Sequence, residues 1–371
     1  MKNTIMWLFT RAKDSRNLLK ISKEILVFNQ GGSLNINPMQ VPVTAKAWSN
    51  CFADTFIQAN ALFDGTKNFL LDELSYLYSQ NDMPTIHDLF RVIKALEFQK
   101  YSRDARYQES AINRLSGLIN SLGDNFSFPC IDLKELMKRH VIFEIQSLTS
   151  EQQVFMVNIL LSWLFYYKLH YENPLYHVIG IDDANLIFDK SFEYRPDRGL
   201  PIISHLITTV RKAKIRIIAD SQIPHQIGAS LHSNSFTKIM FSLSNGRDIE
   251  CMTRSMGIRD PEQIQYCHRL GKREIVVKFS GRYQAPFLAY IPELEIFDGV
   301  ISDSEVMQNN KRILESMTQL RAPRYIEPIK DDSSKPKSDR LSDEEKAFLA
   351  DIYLRPYISV TERHKSLILG G

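Results

Sequence analysis

Apolar positions along the chain follow two rhythms. Short runs in which most positions are apolar, each closed by charge, glycine or proline, occupy Thr4–Thr10, 25–28, 141–145, Tyr176–Ile181, Ile215–Ala219, 237–243, Glu274–Phe279 and 285–291. Their length and closure predict buried strands. Elsewhere apolar residues recur at spacings of three and four, over 46–60, 67–80, 86–98, 106–122, 202–211, 248–256 and 303–320, which predicts helices. The segment 150–169 is apolar with no clean polar face, so it predicts a helix covered on more than one side.

The order of these elements predicts the fold class. From 141 to 256, strands with helices between them predict an α/β fold with a mostly parallel sheet. The runs 274–279 and 285–291, joined across Ser280-Gly281-Arg282, predict an antiparallel pair closing that sheet. Residues 41–135 hold few strand-like runs and predict a helical insertion. Residues 331–340 (DDSSKPKSDR) predict a solvated linker, and Ser342 with Glu345 a capping box for one more helix. The expected organisation is therefore 1–40 as the start of the core, 41–135 as the insertion, and 136–300 as the main part of the core. A helix and polar linker at 301–340 and the beginning of a further domain at 341–371 complete it.

Composition narrows the picture only slightly. The 371 residues carry 46 Lys+Arg against 43 Asp+Glu, a formal charge of +3, so any nucleic-acid contact rests on a local basic stripe and not on global charge. Cys51, Cys130, Cys251 and Cys267 are far apart with no C-x-x-C pair, which argues against a disulfide framework or a zinc knuckle. The uncharged stretch 152–167 is sixteen residues long, short of the roughly 20 apolar residues a bilayer requires. Without an export signal at the start, a cytoplasmic protein is expected.

The sharpest chemical signal is His177-Val178-Ile179-Gly180-Ile181-Asp182-Asp183, an apolar strand that delivers two adjacent carboxylates at its end. In open parallel sheets ligands bind beyond that end. One carboxylate can hold the water shell of Mg2+ while the next orients an attacking water, as nucleotide hydrolysis requires. The competing reading is an ordinary strand terminus before a helix capped by Asp182 or Asp183. A second strand, Ile215–Ala219, ends in Asp220-Ser221-Gln222. If the two strands are neighbours, Gln222 can bond a phosphate oxygen or water as a sensor; otherwise it is a loop glutamine bonded to backbone. No G-x-x-x-x-G-K-[ST] segment occurs, so the backbone cradle that surrounds phosphates is not encoded in these residues.

The segments VIGIDDANLIFD, RKAKIRIIADSQIPHQI, LHSNSFTKIMFSL and LGKREIVVKFSGRYQAPFLAYIP, in that order, resemble the HerA/FtsK branch of P-loop motor ATPases, including the conjugative coupling-protein relatives. MWLFTRAKDSRNLL and SLNINPMQVP resemble earlier parts of the same core, and LSDEEKAFLADIY the start of a winged-helix domain. The resemblance spans roughly 1–295. It implies a RecA-like core, shortened ahead of Met1 by its phosphate-loop segment. It further implies ATP and Mg2+ as cofactors, with Asp182 on the magnesium side, Asp183 where relatives usually carry glutamate, and Gln222 as the sensor. Intact members are similar to hexameric rings that move double-stranded DNA, with an arginine reaching the neighbouring subunit's phosphates. Arg247, Arg254 and Arg273 are the candidates for that contact. The implied activity is an ATP-dependent DNA translocase or helicase-like motor with impaired ATP binding. The alternative is a non-hydrolysing DNA-binding or assembly component of a larger machine.

Overall fold

Five parallel strands carry the architecture: β1 (Thr4–Thr10), β2 (Leu26–Phe28), β4 (Val141–Glu144), β5 (Tyr176–Ile181) and β6 (Ile215–Ala219), in the order β2-β4-β1-β5-β6. The computed structural model describes residues 4–193, 207–283, 285–293 and 301–321. The expected strands 237–243 and 285–291 are shorter, β7 (Thr237–Met240) and β9 (Phe287–Tyr290). With β8 (Glu274–Phe279) they form a separate antiparallel sheet in the order β7-β8-β9. The expectation that 237–243 belongs to the parallel sheet and that β8 and β9 close it is therefore corrected. These strands have their own apolar cluster, built on Met240, Ile249, Met256, Ile258, Cys267 and Val276.

Between β2 and β4 the chain is mainly helical. The single turn α1 (Leu18–Ile21) precedes β2, and α2 (Ala45–Ala59), α3 (Asp64–Gln80), α4 (Ile86–Ala95) and α5 (Arg103–Leu122) follow it. Thr44, Thr85 and Ser102 cap α2, α4 and α5 with side-chain oxygens, satisfying amide donors that the first turn leaves unpaired. Two short pieces follow, β3 (Cys130–Ile131) and α6 (Leu133–Leu136). The long helix α7 (Ser150–His170) starts in a Thr149/Gln152 capping box and is buried at most positions. Its lack of a polar face has a structural cause: Phe155 meets Phe52 and Phe56 of α2 edge-on, while the main apolar cluster joins α7 to Trp7, Phe9 and Ile179 of the sheet.

The expected helix 303–320 is Asp303–Leu314, followed by β10 (Gln319–Leu320), which pairs with β3. A strand of two residues has no periodicity to detect, so neither partner is visible in sequence. Of the expected helix 202–211 the described part is helical at 207–209, and the linker and capping box beyond 330 lie outside the described residues. All four cysteines are free, Cys251 half-buried and the others buried. No helix among the described residues is long and apolar enough to cross a membrane.

Helix Asp303–Leu314 closes one edge of the parallel sheet. Asn310, fully buried, accepts from the Val27 amide at 3.0 Å and donates to the Val27 carbonyl at 2.7 Å, while Asn309 donates to the Ile25 carbonyl. A primary amide thus imitates the missing neighbour of edge strand β2. Asn310→Leu is expected to strand both Val27 groups and cost about 2–4 kcal/mol, at about 1–2 kcal/mol for each orphaned group. Urea unfolding of the two proteins checks this, and a loss below about 0.5 kcal/mol contradicts it.

Candidate functional site

The parallel pairing of β5 with β6, in a register that sets Ile181 beside Ala219, brings two loops to one end of the sheet. Asp182 and Asp183 leave β5 there, and Asp220, Ser221 and Gln222 leave β6 there. On the other side of β5, β1 ends at Thr10 and is followed by Arg11. The chain leaves β1 toward β2 at one edge and leaves β5 toward β6 at the other, so the order reverses between β1 and β5. Such a reversal opens a crevice at the carboxyl ends of the strands.

Arg11 occupies this reversal point. Its backbone amide donates to Asp182 Oδ2 at 3.3 Å, and its Nη1 donates to Asp183 Oδ2 at 2.7 Å in a partly exposed ion pair. Asp183 adopts φ +50°, the left-handed region that aspartate tolerates better than most residues. Residues 182–187 form successive turns, Leu186 N–H donating to the Asp183 carbonyl and Ile187 N–H to that of Ala184. Neither acid therefore caps a following helix, and the side chains turn to Arg11.

The β6 loop locks onto the β5 loop through backbone. Asp220 N–H donates to Ile181 O at 2.9 Å, Ala184 N–H donates to Asp220 O at 2.7 Å, and Ser221 Oγ donates to Asn185 Oδ1 at 3.2 Å. Partial burial, and then the negative charges of Asp182 and Asp183, push the Asp220 carboxyl above its usual range, although a bond from Ser221 backbone opposes the shift. Asp220 thus senses an excess of negative potential at this end of the sheet. Gln222, two residues on, is exposed. Among the described residues no group of three His, Cys, Asp or Glu side chains is placed to hold a metal ion directly. Asp182 and Asp220 offer carboxylate oxygens of the kind that hold a hydrated divalent cation, while the charge of Asp183 is already paired with Arg11.

The expected arginines lie elsewhere. Arg247 and Arg254 are both exposed on the helix Gly246–Met256, and Arg254 pairs with Glu250 at 2.6 Å. Arg273 precedes β8, pairs with Glu293 at 3.3 Å and lies over the Tyr290 ring. Among the described residues none of the three bonds Asp182, Asp183 or Gln222. His225 donates its backbone amide to Asp248 Oδ1 and bonds the same atom through Nδ1, while His232 reaches the Pro224 carbonyl, so both histidines have structural partners. Sequence reasoning missed Arg11 and gave little weight to Asp220. Both stand directly after a predicted strand, the one signal that could have grouped them with the acids.

The parallel order, the long insertion between β2 and β4, and the reversal between β1 and β5 define the fold as a mostly parallel α/β sheet of the RecA-like type. Among solved structures, the chain is similar to VirB4 of Thermoanaerobacter pseudethanolicus, with 13% identity, a TM-score of 0.51, and coverage of 79% of this chain and 90% of that one. It is also similar to the plasmid coupling protein TrwB in complex with ADP and Mg2+, with 12% identity, a TM-score of 0.54, and coverage of 82% and 88%. The trigonal form of the bacterial conjugative coupling protein TrwB with sulphate gives 14% identity, a TM-score of 0.57, and coverage of 80% and 79%. No family model and no curated protein sequence matches the chain.

Proposed function

We propose that this chain is the core of an ATP-dependent DNA translocase or helicase-like motor, acting on double-stranded DNA as a homo-oligomer, in the cytoplasm, with impaired ATP binding. The observation that carries this reading is the placement of Asp182, Asp183 and Gln222 at one end of two adjacent parallel strands, where the strand order reverses. Asp182 would hold the water shell of Mg2+, Asp183 would orient the attacking water, and Gln222 would sense the γ-phosphate. Arg247, Arg254 and Arg273 are the candidates for reaching a neighbouring subunit's phosphates, Arg247 and Arg254 from one exposed helix surface. The solved coupling-protein structure with ADP and Mg2+ supports the cofactor class.

Impaired binding follows from the absence of a G-x-x-x-x-G-K-[ST] segment in the 371 residues. Titration of labelled ATP with Mg2+ is expected to give a dissociation constant weaker than about 1 mM, equivalent to less than about 4 kcal/mol of binding. Micromolar binding that survives Asp182→Asn would sink the assignment of the site.

The Arg11–Asp183 pair favours a second reading. The carboxylate of Asp183, held by the Arg11 guanidinium, is turned from an incoming water. A non-hydrolysing DNA-binding or assembly component would keep the fold without turnover. DNA binding that falls steeply with salt and ignores nucleotide distinguishes this reading.

A further inference from the structure

Arg11 and Arg16 follow the same strand, yet they are held in opposite ways. Arg16 is 1% exposed and commits its donors to Glu144, Asp303 and the Ile301 carbonyl, as an arginine that supports a fold does. The Arg11 side chain keeps 40% of its surface open and makes one side-chain bond, Nη1 to Asp183 Oδ2 at 2.7 Å. Its Nε is buried and has no partner among the described residues. A buried donor left unpaired costs stability, so this guanidinium is not placed to hold the fold together.

The backbone beneath it is pinned. The Ala12 amide donates to Thr10 Oγ1 at 3.1 Å, and the same hydroxyl donates to the Ala12 carbonyl at 3.0 Å. The Arg11 amide itself donates to Asp182 Oδ2 at 3.3 Å. Any rearrangement of Arg11 is therefore confined to its side chain, which can leave Asp183 without disturbing β1.

What that side chain meets is negative charge. Asp182, Asp183 and Asp220 leave the ends of two paired strands, and among the described residues Arg11 is the one cationic side chain bonded to any of them. Asp183 meets it from φ +50°, a conformation that a residue other than glycine keeps only where its surroundings over-determine it. Carboxylates gathered in this way require a counter-ion. The chain supplies one from its own sequence.

We propose that Arg11 is a built-in counter-ion that competes with a divalent cation for the acids leaving β5, so that this end of the sheet takes up metal only when the guanidinium releases Asp183. Competition of this kind presupposes Asp182 as the magnesium-side acid, the reading proposed above for this site. Asp183 Oδ2, already bonded to a full positive charge, is a poor ligand for a second one, and guanidinium and metal ion repel each other across the same carboxylates. Metal uptake is thereby tied to whatever anion draws Arg11 away.

The probe is Mn2+ alone, titrated into the 371-residue chain without nucleotide and followed by the electron paramagnetic resonance signal of the free ion. Wild type should show a site no tighter than about 1 mM, and Arg11→Gln, which keeps the backbone amide on Asp182 but removes the charge, a site at least about tenfold tighter. Adding Asp182→Asn to Arg11→Gln should abolish the gain. Arg11→Lys keeps a charge without the planar fork and should fall between, about threefold tighter than wild type, so it decides the matter if Arg11→Gln does not fold. Equal Mn2+ affinity in wild type and the Arg11 variants, lost in each on Asp182→Asn, overturns the competition and leaves Asp182 as the magnesium-side acid. A folded Arg11→Gln with no Mn2+ site, or with one that ignores Asp182→Asn, removes the reading of Asp182 itself and the proposal with it.

Discussion

Arg16→Met should destabilise the protein by about 3–5 kcal/mol, the range for removing one partner of a buried ion pair. Arg16 lies in the turn Lys13–Asn17 after β1 and is 1% exposed. Its Nε and Nη2 form a fork on Glu144, with Nη2 to Oε2 at 2.6 Å. The same Nη2 donates to Asp303 Oδ1 at 2.7 Å, and Nη1 donates to the Ile301 carbonyl at 3.0 Å. These contacts hold the guanidinium charged, its pKa raised first by the Glu144 bond and, after burial opposes it, by Asp303. Methionine fills much of the volume but leaves the nearly buried Glu144 carboxylate without its cation. The double variant Arg16→Met/Glu144→Gln should recover about 2 kcal/mol or more, whereas Asp303→Asn, at an exposed position, should cost about 1 kcal/mol or less. Urea midpoints at constant slope give all three values, and a single-variant loss below about 1 kcal/mol refutes the argument.

Acidification should weaken the fold through His177. This ring is fully buried: Lys168 Nζ donates to its Nδ1 at 2.9 Å, and its Nε2–H donates to the Met137 carbonyl at 2.8 Å. Such an arrangement requires the neutral imidazole. Burial, and then the Lys168 charge, lower its pKa from 6.5 to about 4, although the Met137 bond acts the other way. The unfolded chain therefore binds a proton that the native state refuses, and stability falls as pH drops from about 6.5 to 4. The integrated loss is about 3 kcal/mol. Lys168 acts in the same direction at higher pH. Burial, and then Lys214, bring it from 10.5 to about 8, so stability also falls as pH is lowered from 10.5 to 8. Thermal melts across both windows test this, and His177→Gln should flatten the acid slope while leaving the alkaline one. An unchanged acid slope in His177→Gln contradicts the assignment.

The parallel strands were legible because each is a short apolar run with a charged or polar stop. Thr4–Thr10, Tyr176–Ile181 and Ile215–Ala219 match their expected limits. Sheet membership was not legible: β7 has the composition of a core strand, yet its partner is β8, and only the three-dimensional path decides that. Helix Asp303–Leu314 stops short of 320 because Ser316 to Thr318 turn the chain toward β3, a contact that no local pattern encodes. At the site, adjacency of the acids and the amide was readable from strand ends. The Arg11–Asp183 pair was not, because the two residues are 172 positions apart.

The sealing of β2 by Asn310 joins residues separated by 283 positions. During synthesis at about 5–20 residues per second, Val27 leaves the ribosome about 15–60 s before its lock is made. Through that interval the nascent sheet offers a strand edge that other chains can capture. Slowing elongation should therefore raise the insoluble fraction more than shortening any surface loop would.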